Sequence, residues 1–384
     1  MKIVEAKIYA LNIPFCSSFS HSLKTRSFSD SIVVKLTTNS GLCGYGEGIA
    51  RPYVTGETVK KSSTHLEKVL LPAIINKDIQ NIDKCQNPSD SLSSINKHIP
   101  KIDSPGIVAW SASKTAVELA LIDCILKEQK MSLNCILPAN SKTVTYTGVL
   151  ASGNIKKTVE LAERFKQIGF KYVKIKIGQS NDQERIAVAR DILGPSVSIR
   201  LDANGAFSTT KAIRFIKSVE KFNIDSIEQP IKRGDSADLA FVKSNSPIPI
   251  MADESIVTLD DAKKLIDTNA CDYFNLRISK CGGLYNTLAI AELAKQMGMR
   301  IQLGCLVGET AILSAAGRHL AAYLSEVKFV EGSYSTHLLV EDIAQEMIEF
   351  GKCGVAPVFF SDGLGISVKE DLLIKYAKKM ICVS

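Results

Sequence analysis

From Tyr146 to Gly332 the chain repeats one pattern: a short apolar run rich in β-branched residues, then a longer stretch with helical spacing. "TVTYTGVL", "KYVKIKIG", "VSIRLDANG", "IDSIEQP", "IPIMADES", "DYFNLRISKCGG", "RIQLGC" and "VKFVEG" read as eight strands. Segments such as "DQERIAVARDIL" and "STTKAIRFIKSVEKF" read as the helices between them. This α/β alternation predicts a parallel sheet with helical crossovers. Eight units in so short a span fit a closed TIM-type (β/α) barrel over residues 131–355 better than an open doubly wound sheet, which stays the alternative. Residues 1–130 read as α+β. "KIVEAKIYAL", "SIVVKLTT" and "GLCGYGEGIA" are predicted strands, followed by helical "TGETVKKSSTHLEKVLLPAI" and "GIVAWSASKTAVELALIDCILKEQK". The polar stretch "QNPSDSLSSINKHIPKIDSPG" predicts a loop, and residues 356–384 form a C-terminal segment.

Some polar residues do not fit so apolar a set of strands. In "YVKIKIG", Lys174 and Lys176 are two apart and share one face, with Val173, Ile175 and Ile177 on the other. Five successive strands end in ionisable residues, Lys176, Asp202, Glu228, Asp253 and Lys280, at steps of 26, 26, 25 and 27 residues. In a barrel this spacing gathers them at the C-terminal mouth, where catalytic groups sit. Three carboxylates confined there repel one another, and a hard divalent cation removes the repulsion. An all-oxygen donor set points to Mg²⁺, with Mn²⁺ also fitting, and not to zinc. The lysines bracket the acids in sequence, so they are predicted to face each other with an amine on either side of a metal-held substrate. A lysine acts as a general base only when partly neutral. Lys176 is the candidate base, and Lys174 either depresses its pKa or is a structural ion-pair partner of Asp202 and Glu228.

Hydrophobic residues make up 45% and charged residues 23% of the 384, which excludes a disordered chain. The net charge of +7 is scattered, without the basic stripe that nucleic-acid binding needs, and is compatible with a small anionic substrate. The ten cysteines come no closer than Cys271 and Cys281, so no CxxC site is present. "MKIVEAKIYALNIPF" alternates like a strand and not like a signal or transit segment. No apolar run is long enough for a bilayer. A cytoplasmic protein with free thiols and no membrane partner is expected. GxxxxGK and HExxH motifs are absent, and "GYGEG" marks a strand end in the first domain rather than a dinucleotide site. Trp110 reads as core.

The ordered motifs "KIKIG", "LDANGAF", "IEQP", "MADES" and "NLRISKCGG" resemble the enolase superfamily, mandelate racemase/muconate lactonizing enzyme family, in its muconate lactonizing subgroup of dipeptide-epimerase- and muconate-cycloisomerase-like members. The resemblance implies an N-terminal capping domain, a modified barrel, and a C-terminal tail returning to the cap. By motif position it implies metal ligands Asp202, Glu228 and Asp253, acid/base lysines Lys176 and Lys280, and polar support from Asn204 and Glu254, the latter alternatively an ion-pair residue. The implied chemistry is Mg²⁺-dependent abstraction of the α-proton of a carboxylate substrate to a metal-stabilised enediolate. Reprotonation gives racemisation or epimerisation of an amino-acid derivative or dipeptide. Muconate-type cycloisomerisation and succinylbenzoate-type dehydration are the alternatives, and a non-catalytic metal-retaining binding protein is the reading from another class. Specificity is expected from the loops Phe19–Ser31 and Arg51–Thr58, with Lys24, Arg26 and Tyr53 as candidate substrate contacts. The chain lacks the Asp-x-Asp element that dipeptide epimerases carry at the eighth strand. Glu309 and Glu331 are the candidate replacements, with helix capping the other reading for Glu309. A homo-oligomer is expected.

Overall fold

The structure, a computed structural model, describes residues 1–21, 24–82 and 87–384, with the backbone alone for His21 and Lys24. The chain opens with β1 (Ile3–Leu11), a hairpin of β2 (Pro14–His21) and β3 (Lys24–Phe28), then β4 (Ser31–Thr38) and β5 (Cys43–Ile49). Strands β1, β4 and β5 form an antiparallel sheet, and the tail strand Ala377–Val383 adds to its β1 edge. Gly44, Gly46 and Gly48 line one face of β5 and lie against the helix Ser111–Glu128. A Cβ on Gly46 would stand 2.0 Å from the carbonyl oxygen of Ala116, so only glycine lets the helix settle this close. This gives "GYGEG" its place as a packing surface. Two stretches differ from expectation. The polar stretch predicted as a loop holds a helix, Pro88–Asn96, whose Asn87 side chain caps it and whose Leu92 and Ile95 are buried. Its serines hid the helical spacing. The Phe19–Ser31 loop is largely the β2–β3 hairpin, with Ser20 and Thr25 hydroxyls 2.9 Å apart across it.

The second unit is the barrel. "TVTYTGVL" divides into β6 (Thr143–Thr145), which pairs outside the barrel with Val355–Pro357, and β7 (Gly148–Leu150), the first barrel strand. The others are β8 (Tyr172–Lys176), β9 (Ser198–Asp202), β10 (Ile224–Glu228), β11 (Ile250–Ala252), β12 (Tyr273–Leu276), β13 (Arg300–Leu303) and β14 (Val327–Val330). They run parallel in sequence order from β7 to β14. A bridge between Tyr146 and Val330 closes the ring, with Thr147 N–H donating to Val330 O at 2.9 Å. Met251, Tyr273 and Phe329 plug the interior below the polar residues. Among the described residues no helix is long and apolar enough to cross a membrane, and the cysteines are free thiols.

Buried carboxylates join the two units. Glu47, on β5, accepts Thr310 N–H at 3.0 Å, Thr310 Oγ1–H at 2.7 Å and Leu313 N–H at 3.1 Å, capping the barrel helix Ala311–Tyr323. Glu118, on the first unit's long helix, accepts Leu284 and Tyr285 N–H groups at the start of Leu284–Gln296. A carboxylate at a helix N-terminus satisfies donors that have no partner within the helix. Ser279 Oγ accepts Ile49 N–H at 2.8 Å, fixing the end of β5 beside Lys280.

Candidate active site

Register places the ionisable residues. Lys176 pairs with Asp202 across β8 and β9, and Asp202 with Glu228 across β9 and β10. Asp253 follows the end of β11, and Lys280 lies on the short helix Ile278–Cys281 just beyond β12. All are buried at the C-terminal end of the barrel. Lys176 Nζ donates to Asp202 Oδ2 at 2.5 Å and to Asn204 Oδ1 at 3.0 Å. Lys280 Nζ donates to Asp253 Oδ1 at 2.8 Å, Asp253 O at 2.6 Å and Asn275 O at 2.7 Å. An ammonium thus stands at either end of a row of three carboxylates.

The strand ends are held in unusual conformations. Asn204 (φ 44°) and Gln229 (φ 40°) both adopt left-handed backbone. Gln229 compensates with its side chain. Its Oε1 accepts the N–H groups of Asp253 at 2.9 Å and Ser255 at 3.0 Å, while its Nε2 donates to Ile231 O. That network fixes where Asp253 emerges. Asn204 Nδ2 donates to Glu254 Oε1 at 3.0 Å, and Glu254 makes no ion pair among the described residues.

Lys174 lies one step deeper. Its ammonium meets Glu331 at 2.8 Å and Glu228 and Asp202 at 3.1 Å. Burial pulls its pKa down, but Glu228, Glu331 and Asp202 outweigh burial and hold the ammonium charged. It therefore has the ion-pair contacts of the structural reading and the fixed positive charge of the electrostatic one. Burial pushes the Asp202 carboxyl up, and Lys176 and Lys174 more than reverse this, holding it well below the usual carboxylate range.

Sequence reasoning missed several site residues. Arg277 lies between two of the acids, with Nη2 3.2 Å from Glu228 Oε1 and 2.6 Å from Asp253 Oδ2. Asn275 and Gln302 donate to the two oxygens of Glu228 at 2.8 and 3.1 Å. Arg200 pairs with Glu331 at 3.0 Å and stacks 4.0 Å over the Phe329 ring. The signal was present. Arg200 alternates with Ile199 and Leu201, and Asn275 with Phe274 and Leu276, as Lys174 does with Val173 and Ile175.

The donor set fits a hard divalent cation by type and burial. Every carboxylate in the row is buried, and Glu254 Oε2 is enclosed without a hydrogen-bond donor. Asp253 Oδ2 faces Arg277 without accepting a well-aligned hydrogen bond. Burial, then the Asp253 and Asp202 charges, push Glu254 up to about 8. Burial and Asp202 push Glu228 up to about 7. Asp253 Oδ2 and Glu254 Oε2 lack a well-aligned donor, and a cation would relieve the crowding of these acids. In this structure basic side chains do that work, and no cluster of three metal-ligating side chains converges on one point among the described residues. Formally, Lys174, Lys176, Arg200, Arg277 and Lys280 balance Asp202, Glu228, Asp253, Glu254 and Glu331. A divalent cation would tip that balance toward positive charge.

A cavity of about 290 Å³ opens beside the row, with Lys174, Lys176, Arg277 and Glu331 among its polar lining and Phe19, Phe165 and Phe170 among its apolar lining. Glu331 lines it but is committed to Lys174 and Arg200. Glu309 also lines it. Its Oε1 accepts Leu306 N–H at 2.6 Å, and the following helix is capped instead by Thr310, whose Oγ1 accepts Ile312 N–H, with Glu47 accepting Leu313 N–H. Arg26 pairs with Asp30 at 2.6 Å in its own unit and is not among the residues lining this cavity. Tyr53 stands on the short helix Pro52–Thr55, 39% exposed and likewise outside the cavity lining. The Lys24 side chain lies outside the described residues.

The fold and site have known relatives. Residues 3–137 match the family described as Mandelate racemase / muconate lactonizing enzyme, N-terminal domain, and residues 157–372 match Enolase C-terminal domain-like. The chain is 28% identical over 379 residues to the N-succinyl-L-Arg/Lys racemase of Bacillus cereus, covering 97% of each. It is 30% identical over 324 residues to a hydrophobic dipeptide epimerase of Enterococcus faecalis, covering 84% of this chain and 87% of that protein. Among solved structures, the B. cereus N-succinyl Arg/Lys racemase is similar with a TM-score of 0.89 at 28% identity, covering 100% of both chains. The dipeptide epimerase of Cytophaga hutchinsonii, complexed with Mg and the dipeptide D-Ala-L-Val, has a TM-score of 0.87 at 27% identity and also covers 100% of both. With both matched regions in chain order, and with the buried row at the barrel mouth where the motifs placed it, the chain belongs to the mandelate racemase/muconate lactonizing enzyme family of the enolase superfamily.

Proposed function

We propose that the protein is a Mg²⁺-dependent racemase or epimerase that moves the α-proton of an N-acylated amino acid or dipeptide. The observation that carries this is the buried row itself, with Lys176 beside Asp202 at one end and Lys280 beside Asp253 at the other. Asp202, Glu228 and Asp253 are the residues that would hold the cation, with Mn²⁺ an acceptable substitute. When bound, the cation supplies Lewis-acid stabilisation of the negative charge that grows on the substrate carboxylate as the α-proton leaves. Lys176 and Lys280 hold and move protons at the α-carbon, one removing from one face and the other delivering to the opposite face. Lys174 keeps a fixed ammonium near Lys176, held by Glu331, Glu228 and Asp202. The racemase and epimerase names of the relatives support this choice over cycloisomerisation and dehydration. The test is incubation with Mg²⁺ in D₂O and a panel of N-acyl amino acids and dipeptides. Deuterium is expected at the α-carbon together with loss of optical purity. Absence of label across the panel would favour the binding-protein reading.

A further inference from the structure

The acids of the row do not converge on one point among the described residues, and a guanidinium stands between two of them. Arg277 follows the last residue of β12 and puts Nη2 3.2 Å from Glu228 Oε1 and 2.6 Å from Asp253 Oδ2. Among the described residues no other cation pairs with both of these acids. Lys174 pairs with Asp202 and Glu228, Lys176 with Asp202, and Lys280 with Asp253. The basic groups are also unequally anchored. Outside the row, Lys174 holds Glu331, Lys176 holds Asn204 Oδ1, and Lys280 holds the backbone carbonyls of Asp253 and Asn275. Arg277 has no such anchor among the described residues. Its one hydrogen bond goes to Glu228 Oε1, its contact with Asp253 Oδ2 is not a well-aligned hydrogen bond, and its buried Nε–H has no acceptor. It also lines the cavity beside the row, which leaves its fork a space to turn into.

We propose that Arg277 is a displaceable counter-cation, which bridges Glu228 and Asp253 in the metal-free protein and swings into the cavity when these two acids take a divalent cation. The physical reason is charge. A guanidinium keeps its proton, so it cannot make room by becoming neutral. Held by the same oxygens as a divalent cation, it would be left beside a like charge at close range, and it must move away. Metal affinity is then set by competition, because loading breaks the Arg277 contacts. Once turned, the fork adds a fixed positive charge beside Lys176, where an anionic substrate enters. The inference rests on the metal-binding part of the racemase reading and gives Arg277 a role in it apart from proton transfer and metal ligation.

The test uses the full-length protein stripped with EDTA and titrated with Mn²⁺, the free ion being counted by electron paramagnetic resonance. Arg277→Met should bind Mn²⁺ about tenfold tighter than wild type or more, the scale of one charge-assisted hydrogen bond. Arg277→Lys keeps the charge without the fork and should fall between the two. Equal or weaker binding in Arg277→Met with a wild-type circular dichroism spectrum would overturn the inference. A second measurement needs no variant. Wild type is treated with 2,3-butanedione in borate, with and without Mg²⁺, and the adduct at Arg277 is followed by peptide mass. Modification should be several-fold faster with Mg²⁺, because the fork then lies in the cavity. An equal or slower rate would overturn the inference whatever the variants do. Either failure leaves the racemase reading intact, whereas a wild type that binds no Mn²⁺ would remove both.

Discussion

Lys176 and Asp202 are direct partners across two parallel strands, and their side chains meet at 2.5 Å inside the barrel mouth. Lys280, from the short helix beyond β12, makes the corresponding side-chain contact with Asp253 at 2.8 Å on the other side of Glu228. If the two amines serve opposite faces of one carbon, their variants will fail differently. Lys176→Ala and Lys280→Ala should each slow interconversion of enantiomers by about 10³-fold, within the usual range for loss of a general base. Each should still wash deuterium into one enantiomer, and the surviving enantiomer should differ between them. Loss of exchange from the same enantiomer in both variants would exclude the two-sided arrangement.

Removing the metal should separate activity from folding. Because lysines and arginines already offset the buried acids, treatment with EDTA should abolish α-exchange yet leave the circular dichroism spectrum and a cooperative melt in place. Arg277→Met takes away the guanidinium between Glu228 and Asp253. Breaking a buried pair from one side costs about 3 kcal/mol. The chelated variant should therefore melt well below chelated wild type, and added Mg²⁺ should raise its midpoint more than it raises that of wild type. Equal gains for both proteins would argue that the cation binds elsewhere.

Glu47 ties the first unit to the barrel. Glu47→Ala leaves Thr310 and Leu313 N–H groups without their acceptor, a loss of about 2 kcal/mol for a helix cap of this kind. Glu47→Gln keeps one acceptor oxygen and should recover about half of that. Thermal melts and the rate of limited proteolysis should rank wild type, Glu47→Gln and Glu47→Ala in that order.

Gly46→Ala tests the helix-on-sheet contact. The new methyl would fall on the backbone of Ala116, where no side-chain movement can make room. A cost of about 3 kcal/mol is expected, at the upper end for overpacking. Gly41→Ala, at a site with open space but a φ of +86°, separates backbone strain from collision. Gly46→Ala should lose soluble yield and melting temperature by the larger amount.

The barrel and its polar row were legible because both follow from periodicities. Strand alternation marked Lys174 and Lys176, and the repeat length marked the other strand ends. The same alternation would have found Arg200, Asn275 and Gln302 had it been applied to every strand and not only to the one ending in Lys176. Arg277 was harder, since its role depends on how β12 ends and how the chain turns into Ile278–Cys281. The β2–β3 hairpin and the Pro88–Asn96 helix were hidden by serine-rich composition, which masks both the two-residue and the helical spacing. Glu47 and Glu118 act across the junction of the two units, a relationship that no local window contains.

The proton-handling row occupies the arc of the barrel from β8 to β12, whereas the apolar wall of the cavity comes from β2, β7, the helix Ile155–Ile168 and the segments that follow β13 and β14. Segments of that wall can drift or be exchanged by an engineer while the row stays fixed. New substrates are then within reach of a few replacements at the cavity wall, without rebuilding the chemistry.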